Sequence, residues 1–204
     1  MKDWTENSKS TYTTLGASNH TDKVREENDY YATEPRATEL LLEVEKFSPN
    51  IWECACGSGE ISKVLEDNGY NVKSTDIVYR GFGEEQSIDF LDSKENTYNG
   101  DIITNPPFKY ALEFCQKALS IISNGHKVAM FLKLQFLEGK KRKSFFLDNL
   151  DNPPKTIYVS SSRLLCAKNA DFQRMRDGGG SAVAYAWYVW EKGYKGNTVV
   201  KWIN

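Results

Sequence analysis

Histidine is scarce: His20 and His126 lie far apart, and the four cysteines, Cys54, Cys56, Cys115 and Cys166, form no CxxC pair. Without the Cys/His spacing that encloses zinc, no metal site is expected. No apolar run approaches the ~20 residues of a membrane-spanning helix, and the opening MKDWTENSKS lacks the apolar core of a signal peptide. The expectation is a soluble cytoplasmic protein in a reducing compartment, with no membrane partner. Charge of one sign is not in excess either. The 26 Lys and Arg residues face 28 Asp and Glu, a net of -2, so any nucleic-acid partner must be held by a local basic patch. What remains is a chain of 204 residues, 40% hydrophobic, long enough for one sizeable core and cramped for two.

Residues 1–28 are rich in Ser, Thr, Asn and charge and read as a polar arm, leaving 29–204 as a single domain. Pro35 followed by Leu40, Leu41, Val44 and Phe47 predicts an amphipathic helix. A strand at 50–53 then runs into a Gly-Ser-Gly turn, a helix closed by Gly69, and a strand ending on Asp76. Further on come a strand at 101–104, a helix at 109–123 and a strand at 126–134. This alternation predicts an α/β fold with a parallel sheet covered on both faces. Strand-like runs at 156–161, 181–192 and 198–203 finish the chain, the last two joined by residues 193–197 as an antiparallel hairpin.

Three stretches carry chemistry. In IWECACGSGEIS, an acid ends a strand, Gly57 and Gly59 permit close backbone approach, and a helix N-terminus offers unpaired N–H groups, an arrangement suited to a nucleotide-like cofactor. A nicotinamide-binding loop shares this pattern, although its third Gly or Ala is here Ser62. Asp76, at the end of the following strand, is placed for ribose hydroxyls, and equally for a turn or cap. In DIITNPPFKYA, Pro106 and Pro107 fix the backbone at the carboxyl edge of the sheet, so that the Asn105 side-chain oxygen and the Pro106 carbonyl converge; two adjacent acceptors suit an NH₂ group.

With these residues the chain resembles the S-adenosylmethionine-dependent amino-methyltransferases, whose Asn-Pro-Pro-(Tyr/Phe) tetrad is Asn105, Pro106, Pro107 and Phe108 here. The resemblance implies a Rossmann-like class I methyltransferase fold with a mostly parallel seven-stranded sheet, and S-adenosyl-L-methionine as cofactor. It also implies that the tetrad binds the amino group of a flipped adenine, with Phe108 stacking on the base. Glu53, Gly57, Gly59 and Asp76 match the cofactor positions, with Ala55 and Ile77 beside them. Asp89 and Phe90 in SIDF match the cofactor's adenine site, and Thr33 and Pro35 in DYYATEP border its methionine end. The motif order is that of gamma-type adenine-N(6) DNA enzymes, without a separate target-recognition domain. The segments TLGASNHTDKVREENDYYATEP and RMRDGGGSAVAYAWYVWEKG are similar to small methyltransferases of phages and prophages of Gram-positive bacteria. Double-stranded DNA is the implied partner, ahead of RNA; RNA adenine, a protein glutamine amide, or a silent nucleic-acid-binding module are the rivals.

Two basic stretches are candidates for gripping phosphates: Lys140, Lys141, Arg142 and Lys143 after the strand that follows the tetrad, and Arg163, Lys168, Arg174 and Arg176 in the segment leading to Gly178 and Gly180. A solvated helix start and a long hairpin loop are their ordinary alternatives. Trp187 and Trp190 point to opposite faces of one strand, and core packing explains at least one of them. Cys54 and Cys56 read as small buried fillers rather than a redox pair.

Overall fold

The alternating runs resolve, in the computed structural model, into a seven-stranded sheet with a hydrophobic core on each face. Residues 30–148, 153–167, 170–178, 180–181 and 183–204 are described; the arm expected at 1–28 lies outside them, as do Lys168 and the side chain of Lys141. In chain order the elements are β1 (Ala32–Thr33), α1 (Pro35–Val44), β2 (Asn50–Glu53), α2 (Glu60–Asp67), β3 (Asn71–Ser74), β4 (Asp101–Thr104), α3 (Ala111–Ile121), β5 (Lys127–Lys133), β6 (Thr156–Ser160), β7 (Cys166–Ala167), α4 (Phe172–Asp177), β8 (Tyr185–Glu191) and β9 (Val199–Ile203).

The sheet runs β3-β2-β4-β5-β8-β6-β9, with β8 alone antiparallel to its neighbours. Successive side chains of a strand point to opposite faces. Ala129 and Phe131 therefore pack with Leu40, Leu41, Ile61 and Leu65 of α1 and α2, while Val128, Met130 and Leu132 pack with Phe114, Cys115 and Ala118 of α3. The same alternation divides the two tryptophans of β8. Trp187 is wholly buried on the α1 side, where its indole N–H donates to the Ala37 carbonyl at 2.7 Å, and Trp190 is buried on the α3 side. Both are core residues, each worth about 3–5 kcal/mol on truncation.

Helix α1 begins at Pro35, whose missing N–H costs nothing in a first turn, but it stops at Val44, which is 46% exposed. The expected apolar face is buried through Leu41, while Phe47, beyond the helix, still packs partly buried against the same core. Helix α3 starts at Ala111 rather than 109, because the Tyr110 N–H bonds the Pro107 carbonyl at 2.9 Å and tightens 108–110 into a 3₁₀ turn.

The expected C-terminal hairpin does not form. Both edges of β8 are taken, one by β5 and one by β6, so β9 cannot fold back onto it. It crosses β6 and pairs parallel with its outer edge, from Thr156↔Val199 to Ser160↔Ile203. The segment 162–181 is not a bare loop either. β7 pairs antiparallel with β1 in a two-residue ribbon, Ala32↔Ala167 and Thr33↔Cys166, and α4 follows, capped by the Asp171 side chain accepting the Arg174 N–H.

At the opposite end of the sheet, buried Asp101 accepts the Ser48 N–H at 2.6 Å and the Lys127 N–H at 2.8 Å, with His126 at 3.1 Å. This acid ties the strand starts together and accounts for His126 structurally.

Candidate active site

In this strand order the chain passes from β3 across β2 to β4, so the carboxyl ends of β3, β2 and β4 lie side by side where open α/β sheets bind ligands. Glu53, Asp76 and Asn105 leave those three ends. They border one cavity of about 610 Å³, closed on a further side by 30–33. Thr33, Glu53, Ala55, Asp76, Ile77, Asp89, Phe90, Asn105, Pro106, Pro107 and Phe108 all line it. Of the expected cofactor set, Pro35, Gly57 and Gly59 do not.

The turn that holds the two glycines lies beside the cavity, between Cys56 and Glu60 of its wall. Gly57 (φ +57°) and Gly59 (φ +88°) have backbone conformations that side chains resist, and a Cβ on them would run into the rings of Tyr30 and Phe82 respectively. Tyr30 lies over the glycine turn. Its hydroxyl bonds the Ser58 hydroxyl and accepts the Ser58 N–H, and the Arg80 guanidinium stands 4.4 Å from its ring centre. Asp76 takes part in the same turn: one carboxylate oxygen accepts the Gly57 N–H at 2.8 Å and the other accepts the Val78 N–H at 2.9 Å. Its turn role and its place on the cavity wall hold together.

Glu53 is 2% exposed. Burial pushes its carboxyl well above the ordinary value, against the lowering effect of the Ser62 hydroxyl that donates to it. Ser62, the residue that departs from a nicotinamide loop, is held in turn by Ser74 at 2.7 Å. Apart from Glu53, whose burial favours the neutral form, Glu60, Asp76, Asp89 and Asp92 lie around the cavity, against two bases, Arg80 and Lys109. An acidic wall of this kind favours a ligand that carries positive charge. Asp89 accepts the Leu91 N–H at 2.9 Å, and Phe90, 1% exposed, packs edge-on to Trp52 at 5.2 Å and so belongs to the core as well as to the wall.

Asn105 shows the most specific geometry. Its Nδ2 donates to Thr33 Oγ1 at 2.9 Å and to the Tyr31 carbonyl at 3.3 Å, with Cys166 Sγ at 3.6 Å. A carbonyl can only accept, which fixes which end of the amide faces it. The other end, Oδ1, is buried without a hydrogen-bond partner among the described residues. Leaving such an acceptor unmade costs roughly 1–3 kcal/mol, unless a ligand's N–H completes it. Beside it, Phe108 stacks on Tyr185 at 5.8 Å, and Lys133 holds its ammonium 4.4 Å from the Phe108 ring centre. The β5–β8 register, which sets Lys133 opposite Tyr185, builds this cluster. The Cys166 thiol is pushed up to about 12 by burial, and Cys54 and Cys56 are raised by burial too, which favours the neutral thiol over the thiolate.

The basic residues divide. Lys140, Lys143 and Arg174 are exposed. Arg142 is committed internally: its guanidinium donates to the Gln135 and Glu138 carbonyls and lies 5.1 Å from the Phe136 ring centre. Arg163 donates to the Ser181 carbonyl, and Arg176 pairs with Glu34. Charge in a sequence does not reveal such partners. Tyr30, Arg80 and Lys133 were not singled out from sequence, and only the placing of Lys133 at a strand end beyond the tetrad hinted at any of them.

No protein-family model matches the sequence, and no curated protein matches it. Solved structures do. The type I restriction-modification methyltransferase subunit of Streptococcus thermophilus aligns with a TM-score of 0.57 at 11% identity, over 85% of this chain and 47% of that one. A putative class I S-adenosylmethionine-dependent methyltransferase of Listeria monocytogenes aligns with 0.57 at 11% identity, over 94% and 70%. A TehB-like S-adenosylmethionine-dependent methyltransferase of Corynebacterium glutamicum gives 0.51 at 12%, over 92% and 97%. This chain spans about half the length of the Streptococcus subunit. The fold is the Rossmann-like fold of class I methyltransferases.

Proposed function

We propose that this chain is an S-adenosylmethionine-dependent methyltransferase acting on the exocyclic amino group of adenine in double-stranded DNA. The observation that carries the reading is the Oδ1 of Asn105, without a partner among the described residues, on a side chain that borders the cavity and is followed directly by two prolines and Phe108. The likeness in fold to solved methyltransferases, one of them a restriction-modification subunit, supports it.

The acidic cavity fits a cofactor that carries a sulfonium and an ammonium. Asp76 would face its ribose, Asp89 its adenine, and Glu53 the loop around its charged end. Bound there, S-adenosylmethionine supplies a methyl group already activated by the sulfonium. The protein's part is therefore positional. Asn105 Oδ1 and the Pro106 carbonyl accept the two hydrogens of the substrate amine, which holds the amine in one orientation and concentrates its lone pair on nitrogen. Phe108 offers a ring for the extruded base. Extrusion costs a few kcal/mol, and stacking on an aromatic ring returns ~1–3 kcal/mol of that. The proton released from the amine passes to water. Lys140, Lys143 and Arg174 are exposed cations available to meet phosphates, and Arg163 and Arg176 are exposed beside their internal partners.

The test is methyl transfer to unmethylated duplex DNA, RNA and protein in parallel, with digestion to single nucleosides or amino acids. N(6)-methyladenine from DNA is the expected product. N(6)-methyladenine from RNA alone, or a methylated glutamine amide, would move the substrate while keeping the tetrad's role.

A further inference from the structure

A side-chain amide can sit in two orientations that exchange nitrogen and oxygen, and only one of them leaves Asn105 with an acceptor to offer. The groups that select it lie outside the tetrad. The Thr33 hydroxyl and the Tyr31 carbonyl both take hydrogen bonds from Nδ2, at 2.9 and 3.3 Å. Thr33 is 3% exposed and is fixed opposite Cys166 in the β1–β7 ribbon. The next residue holds that ribbon in place: the Glu34 N–H bonds the Leu165 carbonyl at 3.0 Å, and its carboxylate accepts the Leu165 N–H at 3.1 Å. The hydroxyl therefore meets the amide from a rigid support.

We propose that Thr33 is a positioning residue for methyl transfer: with the Tyr31 carbonyl it anchors Asn105 Nδ2 and so presents Oδ1 to the substrate amine. The proposal rests on the amino-methyltransferase reading of the site. It also moves Thr33 from the cofactor's methionine end, where the sequence put it, to the substrate side of the reaction.

The experiment compares the wild type with Thr33→Val, which keeps the shape and removes the oxygen, and Thr33→Ser, which keeps the oxygen. Readouts are kcat and KM on duplex DNA, cofactor Kd by titration, and thermal midpoint. Loss of one of two anchoring bonds is expected to lower kcat roughly tenfold in Thr33→Val, with both binding constants held within about twofold. Thr33→Ser should restore most of the rate. Three results overturn the proposal: Thr33→Val with wild-type kcat, Thr33→Ser as slow as Thr33→Val, or a weakened cofactor Kd with kcat retained. If the wild type binds cofactor but methylates no amino group of any substrate, the amino-transfer reading itself falls, and this proposal with it.

Discussion

Substituting Gly57 by Ala probes the contact between the 30–33 segment and the glycine turn. At φ +57° an L-residue pays about 1–2 kcal/mol for the left-handed conformation. The new Cβ also meets the Tyr30 ring, which has to move. That movement gives up the Tyr30–Ser58 hydrogen bond, about 1 kcal/mol, and the stacking of Arg80 on the ring, about 0.5–1 kcal/mol. The total is about 3 kcal/mol, a fall of about 9 °C in Tm for a chain of this size. In a Tyr30→Ala background the collision and both lost contacts are absent, so Gly57→Ala should cost only the backbone term. A double-mutant cycle in denaturant should therefore show a coupling of about 1.5–2 kcal/mol. Costs that add, with no coupling between the two sites, would refute the close packing of Tyr30 on the turn.

Burial keeps Glu53 protonated to a higher pH in the folded chain than in the unfolded one, where it ionises near its ordinary 4.5. The folded state thus binds more protons above pH 4.5, and stability should fall as pH rises through that interval. Glu53→Gln, neutral throughout, should flatten this slope in urea midpoints measured against pH; an unchanged slope would show that Glu53 is not its source. Phe108→Ala should lose ~1–3 kcal/mol of base stacking, read as weaker extrusion of a fluorescent adenine analogue with cofactor Kd unchanged. Lys143→Met should raise KM for DNA about threefold and reduce the salt slope of binding by about 1; a KM insensitive to this change would separate Lys143 from the nucleic acid.

Much of the fold was legible because local chemistry reports it. Glycines at 57 and 59 marked a turn, Asp76 and Asn105 marked strand ends, and the period-two spacing in β8 divided Trp187 from Trp190 between the two cores. The place of β9 was not legible, since pairing depends on which edges are already filled and not on the strand's own residues. Nor was the β1–β7 ribbon: two residues are too few for a periodic signal, yet the ribbon holds Thr33 against Asn105. Of the residues expected at the cofactor and in the tetrad, all but Pro35, Gly57 and Gly59 border one cavity; Pro35 starts α1, and the glycines shape the turn beside the cavity. Among the basic residues, the sequence offers Arg142, Arg163 and Arg176 as phosphate ligands. Each also bonds carbonyls or Glu34, partners that lie next to them only once the chain has folded, although Arg163 and Arg176 stay exposed.

The most direct measurement is methyl transfer from labelled S-adenosylmethionine to unmethylated duplex DNA by the wild type and by Asn105→Ala, with nucleoside digestion and cofactor titration of both. The expected result is N(6)-methyladenine from the wild type and a rate lower by on the order of 10²–10³ in Asn105→Ala, with cofactor Kd preserved. An unlabelled DNA pool from cofactor-bound wild type, or near-normal turnover in Asn105→Ala, would contradict it.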